Sequence, residues 1–201
     1  LKPALAVLGL IALVSAVVLI PRWARPWFAM RAVKDLPSTR VVQDWVGRSV
    51  GGTFGMSIAK LSDWTGDGIS DLAVAAPGEA SGRGRVYIYS GGSDLGGSPV
   101  WTLEGEGDGD HFGDALAASD LNGDGHPELI VGSSDSDRSA EDAGSAYVYR
   151  GGPGFDGRPH LVIDGRRAGQ GLGTRLGSAG DVNGDGLSDL IVSAPTDDQA
   201  G

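Results

Sequence analysis

The 201-residue chain carries 26 Asp and Glu against 16 Lys and Arg, a formal net charge of −10. That balance, with no basic stripe, argues against a nucleic-acid partner. The lack of cysteine excludes disulfides, thiol nucleophiles and cysteine metal sites, and 35 glycines suit a turn-rich all-β chain.

Ala4 to Ile20 are 17 uncharged apolar or small residues bracketed by Pro3 and Pro21. At about 1.5 Å per residue, a helix of that length spans about 25 Å of a hydrocarbon core about 30 Å thick. The expectation is a transmembrane anchor helix over 1–21, with the membrane as one partner. A secretory signal peptide with Val14-Ser15-Ala16 at its cleavage site is the alternative. Residues 22–39 read as an interfacial linker, in which Arg22, Trp23, Arg25 and Trp27 suit the headgroup zone.

From residue 40 the chain repeats itself. Gly47, Gly105 and Gly165 each stand seven residues before Phe54-Gly55, Phe112-Gly113 and Leu172-Gly173, so the copies are 58 and 60 residues apart. The units are 40–104, 105–164 and an incomplete 165–201. In the first, β-type runs are predicted around 54–60, 71–76, 85–89 and 100–104, separated by Gly, Asp and Ser clusters. Four short strands repeated at this length point to β-propeller blades.

Between the first two strands of each unit lies a nine-residue loop: Asp63 to Asp71, Asp120 to Glu128, and Asp181 to Asp189. Each has oxygen-bearing side chains at positions 1, 3, 5 and 9 and Gly at position 6. Nine of the 26 acidic residues sit in these loops, and three carboxylates crowded together need a cation to relieve their repulsion. A hard cation such as Ca²⁺ takes about six to eight oxygens from carboxylates, amides and carbonyls. Asp63, Asp67 and Asp71 would give carboxylates, Thr65 a hydroxyl and Ile69 its backbone carbonyl. The second set is Asp120, Asn122, Asp124, His126 (carbonyl) and Glu128; the third is Asp181, Asn183, Asp185, Leu187 (carbonyl) and Asp189. With Thr65 in place of an amide, the first loop is expected to hold Ca²⁺ most weakly. The His126 side chain is expected to face solvent. An EF-hand would need Glu at position 12, where this chain has Val74, Val131 and Val192. These are loops between strands, holding up to three Ca²⁺.

The Phe-Gly pair, the D-x-[NT]-x-D-G-x-x-[DE] loop and the Ala76-Pro77 and Ala194-Pro195 pairs resemble FG-GAP repeats, which build the β-propeller of integrin α subunits. The resemblance covers about residues 40–201 and implies a seven-bladed propeller, structural Ca²⁺ and an extracellular binding or adhesion role. Leu172 departs from Phe, and Gly132-Ser133-Ser134 replaces the Ala-Pro region of the second unit. Propellers need about four to eight blades. A partial propeller of two to three blades is therefore expected to be an interior piece of a longer protein, or an open unit completed by a partner chain.

Arg22, Arg25, Arg31, Lys34 and Arg40 after the span, against Lys2 before it, would place the repeats in the cytoplasm. Calcium loops argue for the extracytoplasmic side, periplasmic or extracellular, and are given more weight. No catalytic constellation is visible: His111, His126 and His160 have no motif-level partner, so no enzyme activity is expected. Tyr87, Tyr89, Tyr147 and Tyr149 are expected to pack strands, and Asp135, Asp137, Glu141 and Asp142 to form a solvated connection. Two functions fit: a membrane-anchored module binding a protein or glycan, or a structural accessory subunit of a membrane complex. Either way the cation should hold the fold. Chelation is expected to lower the melting temperature, and Asp124→Ala to lower it more than Asp137→Ala. An unchanged melting curve in chelator would contradict a structural cation.

Overall fold

The computed structural model describes residues 29–31, 44–92, 95 and 97–197. Among them every element is a strand. The expected anchor over 1–21 lies outside the described residues, and no helix among those described is long and apolar enough to cross a membrane. The 22–39 linker is described only at β1 (Ala29–Arg31), which pairs antiparallel with β2 (Asp44–Val46).

The first unit is a four-stranded antiparallel meander of β3 (Ile58–Leu61), β4 (Asp71–Ala76), β5 (Arg85–Tyr89) and β6 (Trp101–Glu104). The second repeats it with β7 (Leu116–Ser119), β8 (Glu128–Ser133), β9 (Ser145–Tyr149) and β10 (Leu161–Asp164). A third begins with β11 (Leu176–Gly180) and β12 (Asp189–Val192). The predicted runs match three of the first unit's strands closely. The first is shorter than predicted, because Thr53–Met56 closes as a turn, with Met56 N–H donating to Thr53 O at 3.0 Å. The opening strands stand side by side, β7 lying between β3 and β11. This arrangement is consistent with consecutive propeller blades.

Period-two alternation gives each four-stranded sheet two apolar faces. Ala73, Ala75, Val86 and Ile88 of the first unit meet Phe112, Leu129, Val131, Tyr147 and Tyr149 of the second in one buried cluster. The intervening Val74, Ala76, Tyr87 and Tyr89 pack the other way, with Phe54. One junction further on, Ala117, Ile130, Ala146 and Val148 face Leu172, Leu176, Leu190 and Val192. The tyrosines pack strands, as expected: all four are buried. Their rings sit on one face of each sheet, and the smaller Ala and Val side chains on the other, so bulky face meets small face at the junction.

The Phe-Gly pair sets how closely the units approach. Gly55 N–H donates to Ala75 O at 2.8 Å, Gly113 to Gly132 O at 2.8 Å and Gly173 to Ser193 O at 3.0 Å. At the first residue of the second and third pairs the chain clips onto the preceding unit. Phe112 N–H reaches Arg83 O at 3.1 Å, and Leu172 N–H reaches Ala143 O at 3.0 Å. Gly113 has φ +101, and a Cβ there would lie 2.8 Å from Ala75 Cβ and 3.2 Å from Val86 Cγ2. Gly109 has φ +88 but nothing within 4 Å of an added Cβ. Gly113→Ala is therefore expected to cost about 3 kcal/mol through overpacking and backbone strain, against about 1 kcal/mol for Gly109→Ala. Urea midpoints of the two variants check this, and equal losses would contradict the close packing at Gly113.

Candidate metal centre

Each loop links the first two strands of a sheet, at the same edge of every unit. The acid at position 9 is the first residue of the second strand. Asp71 and Glu128 are buried there, at 2% and 3% exposure, while Asp189 is half-buried. From this position the carboxylate reaches back across the loop. It accepts the position-2 N–H in all three copies: Trp64 to Asp71 at 2.9 Å, Leu121 to Glu128 at 2.8 Å, and Val182 to Asp189 at 2.8 Å. Asp71 accepts two further N–H groups, from Thr65 at 2.7 Å and Gly91 at 2.9 Å.

The position-5 carboxylate is fixed just as regularly. It accepts the position-7 N–H at 2.8 Å from Ile69, His126 and Leu187. Asp120 and Asp181, at position 1, accept N–H groups from Gly123 and Gly125 and from Gly184 and Gly186. Asn122 and Asn183 accept the N–H of Asp124 and Asp185 at 2.8 Å and donate Nδ2 to Glu128 and Asp189. Glycines at positions 4 and 6 of every loop have positive φ, between +76 and +89. At Gly68 and Gly125 an added Cβ would meet nothing within 4 Å, so handedness rather than space selects glycine there.

The first loop differs in one respect that bears on a cation. Asp63 Oδ1 is buried without a hydrogen-bond partner, and so is Thr65 Oγ1. A partnerless buried carboxylate oxygen is costly. An all-oxygen donor set of carboxylates, a hydroxyl and a carbonyl fits a hard divalent cation. The electrostatics run in two directions. The Ser90 hydroxyl holds Asp67 below its ordinary value, and the His126 N–H does the same for Asp124. Burial pushes Glu128 up.

The His126 side chain is half-buried and turns to the first loop rather than standing free in solvent. Its Nδ1 lies 2.9 Å from Asp63 O in the first loop, so the ring donates across the unit junction. Only the contact between neighbouring loops reveals this, and no spacing in the sequence encodes it. His160 is partnered by Arg150, with Nη2 at 2.8 Å from Nε2. Both side chains line a cleft of about 570 Å³ beside the second loop, together with Asp124, Phe155 and Arg158.

A second polar group sits at the opposite end of β7 and β8. His111, Asp114 and Asp135 bring ligand-type atoms within 4.8 Å of one another. His111 Nδ1 lies 2.6 Å from Asp135 Oδ2, and Ser134 Oγ donates to Asp114 Oδ2 at 2.5 Å. Asp135 stays in the partly exposed connection, its side chain 45% exposed, and is also the acid partner that His111 lacked in the sequence. With each side chain partnered inside the protein, the group reads as a hydrogen-bonded turn.

An array of antiparallel four-stranded units, each with an oxygen-rich loop between its first two strands, defines a β-blade repeat protein. The family profile of the FG-GAP repeat matches residues 54–89, 112–149 and 173–201, and the chain belongs to that family. It is 31% identical over 147 residues to integrin alpha-5 of Xenopus laevis, covering 71% of this chain and 14% of that protein. It is 39% identical over 150 residues to phosphatidylinositol-glycan-specific phospholipase D of Rattus norvegicus, covering 67% of this chain and 18% of that protein. Integrin alpha-PS2 of Drosophila melanogaster is 31% identical over 147 residues, covering 69% and 10%. The chain therefore spans less than a fifth of the length of these relatives.

Burial also lifts Asp114 above its ordinary value of 3.8. The folded state then binds that proton more tightly than the unfolded chain. The associated stability is present in acid and is lost as pH rises through the folded value. Asp114→Asn carries no such proton. Its stability relative to the parent protein is expected to rise as pH increases from 3.8 toward neutrality. Urea midpoints along that range check it, and a difference independent of pH would contradict it.

Proposed function

We propose that this chain is a segment of a calcium-stabilised β-propeller outside the cytoplasm, tethered through residues 1–21 and serving as a binding module. The observation that carries the calcium reading is the partnerless, buried Asp63 Oδ1, in a loop whose other carboxylates are aimed by the same backbone N–H bonds in every copy. One Ca²⁺ per loop would be held by Asp63, Thr65, Asp67 and Asp71, by Asp120, Asn122, Asp124 and Glu128, and by Asp181, Asn183, Asp185 and Asp189. The carbonyls of Ile69, His126 and Leu187 would complete the three sets. The ion supplies positive charge that offsets three crowded carboxylates and ties the loop to the second strand. The chain's own residues fix the geometry and take no part in bond-making chemistry.

The likeness to integrin alpha chains supports an extracytoplasmic protein or glycan partner. So does the cleft beside the second loop, lined by Arg150, Arg158, His160 and Phe155 together with Asp124 and Asp156. Guanidinium groups in the same cleft as an aromatic side chain suit an acidic, partly apolar ligand. We read this segment as non-enzymatic, its loop carboxylates being accounted for by the proposed cation sites.

Recovery of the protein from membranes in mild detergent, with calcium and then with chelator, tests the reading. A surface protein or glycan retained in calcium and released by chelator is the expected result. Stoichiometric recovery with an integral membrane complex, indifferent to chelator, would favour an accessory subunit instead.

A further inference from the structure

The first loop is held by the second unit as well as by its own strands. Two successive carbonyls at its start, at positions 1 and 2, accept hydrogen bonds from across the junction. His126 Nδ1 lies 2.9 Å from Asp63 O, and Gly152 N–H donates to Trp64 O at 2.9 Å. Between these two bonds the Trp64 ring is 1% exposed and meets Phe155 edge-on, with centroids 4.4 Å apart. Gly151 leaves it the space, since a Cβ there would sit 2.6 Å from Trp64 Cδ1. The sequence placed Trp64 at a loop position with no ligand role. The structure makes it the plug of the first loop in the second unit.

His126 belongs to both loops at once. Its backbone is position 7 of the second loop, where its N–H donates to Asp124, and its ring bonds the first. The next junction repeats the placement with different chemistry. Leu187, position 7 of the third loop, lies over Gly123 of the second, where an added Cβ would fall 2.9 Å from Leu187 Cδ2. Ile69, position 7 of the first loop, instead packs on Gly92 of its own unit.

We propose that cation binding in the first loop and docking of the second unit onto the first are one coupled equilibrium, with His126 and Gly152 as the coupling contacts. This rests on the calcium reading of the loops. A cation held by the Asp63 carboxylate orders the 63–64 peptide. That peptide is also ordered by the bond from His126, and the next one, 64–65, by the bond from Gly152, so whichever comes first lowers the conformational cost of the other. The coupling is reciprocal: the factor by which calcium tightens the junction equals the factor by which the junction tightens calcium. The first loop lacks an amide at position 3, and it draws on its neighbour for the order that its own ligands supply least.

Hydrogen exchange at the Gly152 amide, followed in the whole chain through a calcium titration, tests the coupling, because Gly152 has no place in any loop. Calcium is expected to slow its exchange by about tenfold. Asp67→Asn, which disables the first loop without touching the second unit, is expected to remove that slowing, while the Val182 amide of the third loop reports calcium in the same sample. His126→Ala is expected to raise the calcium dissociation constant of the first loop by about tenfold. Gly152 exchange that ignores calcium while the Trp64 amide responds would overturn the coupling and leave the calcium reading standing. No response at any loop amide would overturn both.

Discussion

Each unit depends on one carboxylate at the point where its second strand begins. Asp71, Glu128 and Asp189 start β4, β8 and β12, and each reaches back to the position-2 N–H of its loop. Because the acid is the first residue of a strand, the loop is fixed relative to the sheet and not merely to itself. The residues that follow are apolar and run into the buried faces. A charge next to a core is costly unless it is hydrogen-bonded or paired. Backbone N–H groups meet part of that need here, and the cation proposed for these loops would meet more of it.

Glycine governs how the units meet. The Phe-Gly turns bring two backbones close enough that an added Cβ at Gly113, Gly132 or Gly173 would clash with the facing unit. The aromatic residue beside the glycine fills the space that remains, with Phe112 packing on Tyr147 at a centroid separation of 5.3 Å. Leu172 occupies the same position in the third unit and still packs in the apolar cluster there. A branched aliphatic chain meets the volume requirement, while the hydrogen-bonded glycine after it supplies the geometry. The pair works as a spacer and a filler, and only the spacer is stereochemically strict.

Much of this was legible in the sequence. Alternating Tyr and Val or Ile in 87–89 and 147–149, and apolar runs directly after each loop, mark strands that are buried on both faces. Spacings of 58 and 60 residues mark the units. The register of the loops, with acid at position 9 and valine at position 12, separates them from an EF-hand. The turn at 53–56 was hidden because Phe54 and Met56 alternate with small residues, as a strand would. The partners of His126, His111 and Trp64 were hidden for a different reason. The His126 and Trp64 contacts lie about 63 and 88 residues along the chain and arise only when neighbouring units are stacked. The His111 contact, 24 residues away, joins two loops of one unit, and hydrophobic periodicity encodes neither kind. Ligand types can be read from one repeat, but the contacts of those ligands depend on two.

The triplicate loops are proposed as cation sites that hold the sheets together. Isothermal calcium titration of the whole chain, after exhaustive chelation and dialysis, tests it most directly. Saturable binding of three calcium ions per chain, one for each loop beginning at Asp63, Asp120 and Asp181, is the expected result. Absence of saturable calcium binding by the folded chain would contradict it.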